Sequence, residues 1–130
     1  MLAVDTNVIV RFLTNDHPQQ SKRARTLVDG NDVWVSLTVL LETEWVLRSV
    51  YRYPPTQIIA SLRDFAGLTG VSLENPALAD RALTWCAGGM DFADALHLSA
   101  AADRCEAFVT FDAELMKAGK KATELKLREP

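Results

Sequence analysis

The sequence predicts an α/β fold: one domain over residues 1–130, with a mainly parallel central sheet of about five strands flanked by helices. Three observations predict it. Short apolar or β-branched runs alternate with longer helix-like stretches, and such alternation implies parallel strands joined by helical crossovers. At 130 residues the chain is one ordinary domain, able to bury most of the apolar surface its unfolded form exposes. With 48% apolar and 24% charged residues, 6 Gly and 5 Pro, and no repeat, linker or low-complexity tract, the composition is that of a soluble globular protein.

The elements follow in order. "LAV" is a short strand and "NVIVRFLT" a short helix. "HPQQSKRARTLVDG" is a helix that Pro18 can open and Gly30 can close. "DVWVS" is rich in strand formers, and "LTVLLETEWVLRSVYR" is a long helix that ends ahead of Pro54 and Pro55. "TQIIASLRDFAGL" has helical apolar spacing, and "GVSL" is a weaker strand. "NPALADRALTWCAGG" carries Asn75 as expected N-cap, Pro76 at the first helical position and glycines after the end. "DFADALHLSAAADRC" is an Ala-rich helix, "AFVTF" reads as a buried strand, "AELMKAG" as a short helix, and "ATELKL" as a last strand.

The start "MLAVDTNVIV" has no Lys or Arg and carries an acid in its apolar stretch, unlike a secretory signal. No run approaches the roughly 20 apolar residues of a membrane span. Cys86 and Cys105 have no CxxC spacing and no nearby His, so zinc is disfavoured and a reduced, cytoplasmic setting is expected. The formal net charge is -3, from 17 acids and 14 bases, so attraction for nucleic acid must come from local patches. Lys117, Lys120, Lys121, Lys126 and Arg128 gather in the tail, and three more bases in "SKRAR".

In sheets of this class ligands bind beyond the carboxyl ends of the strands. Asp5 and Asp112 stand at strand exits and are expected at one sheet edge. Each has a second reading as the N-cap of the helix that follows. "DFAD" resembles a capping box, with Asp91 as cap and Asp94 in the place usually held by Glu or Gln. Glu42 lies mid-helix with Thr38, Val39, Trp45 and Val46 three and four residues away, so it is expected on a core-facing stripe, meeting a cation from elsewhere. Glu44, with Arg48 four residues on, reads as a solvated pair. Pooled acids need a counter-charge, and an oxygen-only donor set suits Mg²⁺ or Mn²⁺. His17 and His97 offer a rival, metal-free acid and base pair. His17, ahead of Pro18, reads as a surface residue.

"VDTNVIVRFL", Glu42 in "LTVLLETEWVL", "DFADALHLSAAA" and "VTFD" together resemble the four ordered motifs of PIN-domain ribonucleases, and in length and spacing the VapC-type toxins of toxin-antitoxin systems. The resemblance runs from residue 2 to about residue 117. It implies a catalytic acidic site at Asp5, Glu42, Asp94 and Asp112. Asp5, Asp94 and Asp112 would hold metal, Glu42 would be a further ligand or orient water, and Asp91 would be an accessory acid. Thr6 and Asn7 match residues that steady the first Asp, and Thr110 precedes the last acid in a matching way. The resemblance also implies five parallel strands, hydrolysis of RNA by metal-activated water, a homodimer, and a cognate VapB-like antitoxin that blocks the acidic groove.

Arg11, Lys22, Arg23, Arg25, Lys117, Lys120 and Lys121 are candidate RNA contacts. Phe12, Leu13, Leu27 and Trp45 are candidates for partner contacts or for the core. Two rivals stand beside the ribonuclease reading. A noncatalytic interaction module would use the acids as caps. An aspartyl-nucleophile phosphatase would need a second Asp where Asn7 stands.

Overall fold

All five strands are two or three residues long, so the polar and proline residues that start the helices do much to set the path of the chain. The computed structural model describes residues 1–130, which divide into two compact units, Met1–Pro76 and Ala77–Pro130.

The first unit holds β1 (Leu2–Ala3), α1 (Thr6–Thr14), α2 (Pro18–Gly30), β2 (Val33–Val35), α3 (Leu37–Ser49), α4 (Pro55–Ala66) and β3 (Val71–Leu73). Its strands form a parallel sheet in the order β1-β2-β3, with Leu2 opposite Val33 and Val33 opposite Val71. Parallel neighbours cannot be joined by a hairpin, so a pair of helices separates each strand from the next. Ile9, Val33, Val35, Leu47, Ile58 and Leu62 are buried, and Phe12 packs edge-on against Phe65 with ring centroids 5.2 Å apart. Pro18 opens α2 as expected, and His17 proves to be its cap: Nδ1 accepts from the Gln20 N–H at 3.2 Å. At the start of the sheet Val33 N–H donates to Gly70 O at 2.7 Å. A Cβ on Gly70 would lie 2.9 Å from Asn31 O, so only glycine fits this close approach.

The buried face of α3 is not the expected one. Leu40, Thr43, Glu44 and Leu47 are buried, while Glu42 and Trp45 are exposed. Both stripes have helical spacing, and polar satisfaction decides between them. Thr43 returns its hydroxyl to Val39 O at 2.7 Å, and Glu44 accepts from Arg48 Nε at 2.9 Å, so each enters the interior already bonded. Glu42 has no cation within a helical turn and stays outside.

The second unit continues with α5 (Pro76–Ala87), α6 (Phe92–Ala102), β4 (Ala107–Val109), α7 (Ala113–Ala122) and β5 (Lys126–Arg128). Asn75, the expected N-cap of α5, has a left-handed φ of 48°. Arg81 ties α5 to α6, donating to Ser99 Oγ at 2.9 Å, Ser99 O at 2.6 Å and Asp103 at 2.9 Å. Gly119 lets α7 approach β5: a Cβ there would meet Leu127 Cδ2 at 2.6 Å. β4 and β5 pair in parallel as a separate two-stranded sheet. Five parallel strands are therefore present, but in sheets of three and two rather than one. Asp5 and Asp112 follow strands of different sheets, because apolar runs mark which segments extend and not which edges pair. β4 is also less buried than "AFVTF" suggested, with Val109 48% and Phe111 83% exposed. No helix is long and apolar enough to cross a membrane.

Two substitutions test these contacts by urea unfolding. Gly70→Ala should lose about 1–2 kcal/mol through overpacking against the Asn31 backbone. Arg48→Ala should lose about 2 kcal/mol by stranding a buried carboxylate, less than a fully buried pair would because Arg48 is half exposed.

Candidate active site

In the first unit Asp5 leaves β1 in extended backbone and caps α1, its Oδ1 accepting from Val8 N at 3.3 Å. Only one carboxylate oxygen is used. Thr6, buried at the first turn, donates its hydroxyl to Glu42 Oε1 in a short hydrogen bond across 36 residues. The start of α1 thereby holds the exposed acid of α3 in place. Asn7 is exposed and, with Val8, Arg11, Gln20, Arg23 and Leu27, lines a groove of about 280 Å³ between α1 and α2.

The bases of this unit divide by employment. Arg11 donates to Gln20 at 2.7 Å, to Asp16 at 2.9 Å and to the Tyr51 hydroxyl at 3.2 Å. Tyr51 in turn donates to Asp16 at 2.6 Å, and that bond leads the effects that hold the Asp16 carboxyl below its ordinary 3.8. Arg25 reaches Asn15 Oδ1 at 3.2 Å and Phe12 O at 3.4 Å, closing the end of α1. Both arginines have structural partners, whereas Lys22 and Arg23 are exposed on α2. Of the apolar candidates, Phe12 and Leu13 are half-buried, Leu27 lines the groove and Trp45 is 53% exposed.

The second unit gathers three aspartates. Asp91 caps α6 through Oδ2, which accepts from Asp94 N at 3.1 Å, the forward half of the expected capping box. Asp112 caps α7 with one oxygen, accepting from Glu114 N at 2.9 Å and Leu115 N at 3.1 Å. Thr110 Oγ1 accepts from Asp112 N at 3.0 Å and fixes the turn between them. Asp94 is half-buried, and burial first, then the charges of Asp91 and Asp112, push its carboxyl above the ordinary 3.8; exposed His97, one turn on, pulls the other way. Lys117, Lys120 and Lys121 are exposed on α7.

The predicted acids thus fall into two sets: Asp5 and Glu42, linked through Thr6, in the first unit, and Asp91, Asp94 and Asp112 in the second. Within each unit no three carboxylate, imidazole or thiol groups close into a tight ligand shell. Phe111, exposed immediately before Asp112, escaped sequence reasoning because "VTF" carries the pattern of a buried strand.

The model of the PIN domain matches residues 2–121, nearly the whole chain. The chain belongs to the PIN domain family. No individual curated protein matches it. PIN domains are in general metal-dependent nucleases that typically bind RNA, and the parallel strands and helices here agree with a PIN-like fold. Asp5, Asp94 and Asp112 all lie in the matched span, as do Glu42 and the cap Asp91.

The raised Asp94 carboxyl has a thermodynamic consequence for this PIN domain. A folded-state value above the unfolded one contributes stability at low pH that is lost as pH rises through the folded value. Asp94→Asn should therefore melt about 1–3 °C higher than wild type at pH 7, and the gap should close as pH falls below 3.8. Paired thermal melts across that range check it.

Proposed function

We propose that the chain is a metal-dependent endoribonuclease, the toxin of a type II toxin-antitoxin pair of the VapC type, acting as one PIN-like domain over residues 1–130. The observation that carries this reading is half-buried Asp94, whose carboxyl is pushed up first by burial and then by the charges of Asp91 and Asp112, a cost that a divalent cation would relieve. The family match over residues 2–121 supports it independently.

The donor chemistry fits Mg²⁺ or Mn²⁺. All donors are carboxylate oxygens, and each capping Asp commits one oxygen and leaves the other. A loose set suits an ion such as Mg²⁺ that keeps several waters and needs only one or two carboxylates. In this reading Asp5, Asp94 and Asp112 hold the ion, Glu42 is a further ligand or orients the attacking water, and Asp91 is accessory. When bound, the ion supplies Lewis-acid chemistry, making water acidic near neutral pH and offsetting charge that develops on the phosphodiester. The protein's own residues preorganise the site. Thr6 steadies Glu42, the α1 and α7 caps orient Asp5 and Asp112, and the Thr110 turn prevents Asp112 from swinging away.

RNA is gripped by exposed Lys22, Arg23, Lys117, Lys120 and Lys121, with Asn7 supporting Asp5. Exposed Trp45, Val50, Val109 and Phe111 supply apolar surface for a homodimer and for a VapB-like antitoxin. The setting in this reading is cytoplasmic, where Cys86 and Cys105 would stay reduced. The caps at Asp5, Asp91 and Asp112 also favour a second reading, a noncatalytic module in which capping is the acids' whole role.

Incubation with total RNA under Mg²⁺, Mn²⁺ and EDTA separates the two. The nuclease reading expects cleavage that EDTA stops and that falls about 100-fold or more in Asp5→Asn and Asp94→Asn, with unchanged circular dichroism. Absence of Mn²⁺ binding by calorimetry in wild type would establish the module instead, and EDTA-resistant cleavage would shift attention to His17 and His97.

A further inference from the structure

Between the end of α5 and one face of α7 the second unit carries a recess of about 400 Å³. Trp85, Gly88, Gly89, Glu114, Lys117 and Lys121 line it. Trp85 is half-buried, and its ring lies under the Arg81 guanidinium at 5.6 Å. Arg81 is itself anchored by Ser99 and Asp103, so the indole that lines the recess is backed by a fixed cation. Gly89, at φ 110°, turns the chain after α5, and neither glycine places a side chain in the space.

On α7 Lys117 and Lys121 are four residues apart and share a face, about 6 Å along the axis. A lysine in the last turn also complements the helix dipole, which accounts for Lys120 and Lys121. It does not account for Lys117, or for an indole and two lysines lining one recess. An indole face, glycine walls and paired cations match the parts that bind single-stranded nucleic acid: a stacking platform and charges that track the backbone. Glu114 can accept from the exocyclic amine of a base, a donor that an acidic peptide's carboxylates do not supply.

We infer that this recess is a subsite for single-stranded RNA, in which one unstacked base lies on Trp85 and the flanking phosphates pair with Lys117 and Lys121. The inference rests on the RNA-cleaving reading above and names where the substrate strand is held. Because α7 begins at Asp112, a strand seated here runs along the helix that carries one of the proposed ligands.

The test is binding of a short 5′-labelled single-stranded RNA by fluorescence anisotropy in EDTA, with the same-length abasic ribose-phosphate oligomer and an oligo-glutamate peptide as comparisons. Wild type should prefer the base-containing strand. Trp85→Ala should weaken binding roughly tenfold and Trp85→Phe less than about threefold. Lys117→Gln with Lys121→Gln, on an exposed surface that does not jeopardise folding, should flatten the salt dependence by about 1.4 in log-log slope. The subsite is overturned if the lysine pair leaves the slope unchanged, if a folded Trp85→Ala binds like wild type, or if abasic strand or oligo-glutamate binds equally well. Since the assay scores binding without metal, a protein that binds through Trp85 yet never cuts RNA sinks the nuclease reading alone. One that cuts RNA with Trp85 and both lysines dispensable sinks the subsite alone.

Discussion

A carboxylate at the exit of a strand has two oxygens, and the fold uses one of them. Asp5 after β1 and Asp112 after β4 each turn the chain from strand to helix by accepting from the first free N–H groups of that helix. Strands of two or three residues provide few ladder bonds, so the turn that follows must be fixed locally, and an Asp cap contributes about 1 kcal/mol to doing so. The second oxygen remains at the carboxyl end of a parallel strand, where α/β sheets bind ligands. Capping and ligation are therefore compatible roles for one side chain. The geometry that stabilises the helix also holds the free oxygen still.

Asp94 shows the opposing term. It lies in the first turn of α6, half-buried, next to the cap Asp91 and within the field of Asp112. The positive end of α6 and His97 offset part of that repulsion but leave the carboxyl raised. Burial there disfavours the charged form, and no cation of the second unit is bonded to it to compensate. Carboxyls perturbed in this way cluster at functional sites. The surrounding contacts, above all the Arg81 clamp on Ser99 and Asp103, supply the rigidity that keeps α6 in place despite it.

Element order was legible because punctuation and periodicity agree: Pro18, Pro55 and Pro76 open helices, and Gly88 with Gly89 follows the end of α5. Strand pairing was not legible, because nothing in "AFVTF" or "ATELKL" states which edge will accept it. The face of α3 departs from its apolar spacing for a more instructive reason: an unpaired acid such as Glu42 avoids the cost of burial by exposure and needs no distant cation. Glu44, with Arg48 one turn on, was the acid equipped for the interior. The Thr6 bond to Glu42 spans 36 residues and leaves no local trace, so it required the fold. The resemblance carried the acids, while the recess at Trp85 had no sequence signal beyond an aromatic followed by two glycines.

The basic residues complete the picture, because the two chemistries of positive charge are used differently. Arg11, Arg25, Arg48 and Arg81 each direct planar donors at defined acceptors: Gln20 and Asp16, Asn15, Glu44, and Ser99 with Asp103. A guanidinium fork serves such fixed geometry, whereas an ammonium is a hydrated, mobile point charge. Lys22, Lys117, Lys120, Lys121 and Lys126 are all exposed. In a chain of net charge -3, whose acids at the strand exits repel phosphate, long-range attraction for an RNA strand must come from charges not already consumed by the fold. Four of these five lysines lie between residues 117 and 126, on and after the helix that Asp112 caps. In the ribonuclease reading proposed above, a strand drawn to them would be drawn along the element that presents an acid at its start, so the ordering of acid and base along α7 would give the approaching backbone a direction.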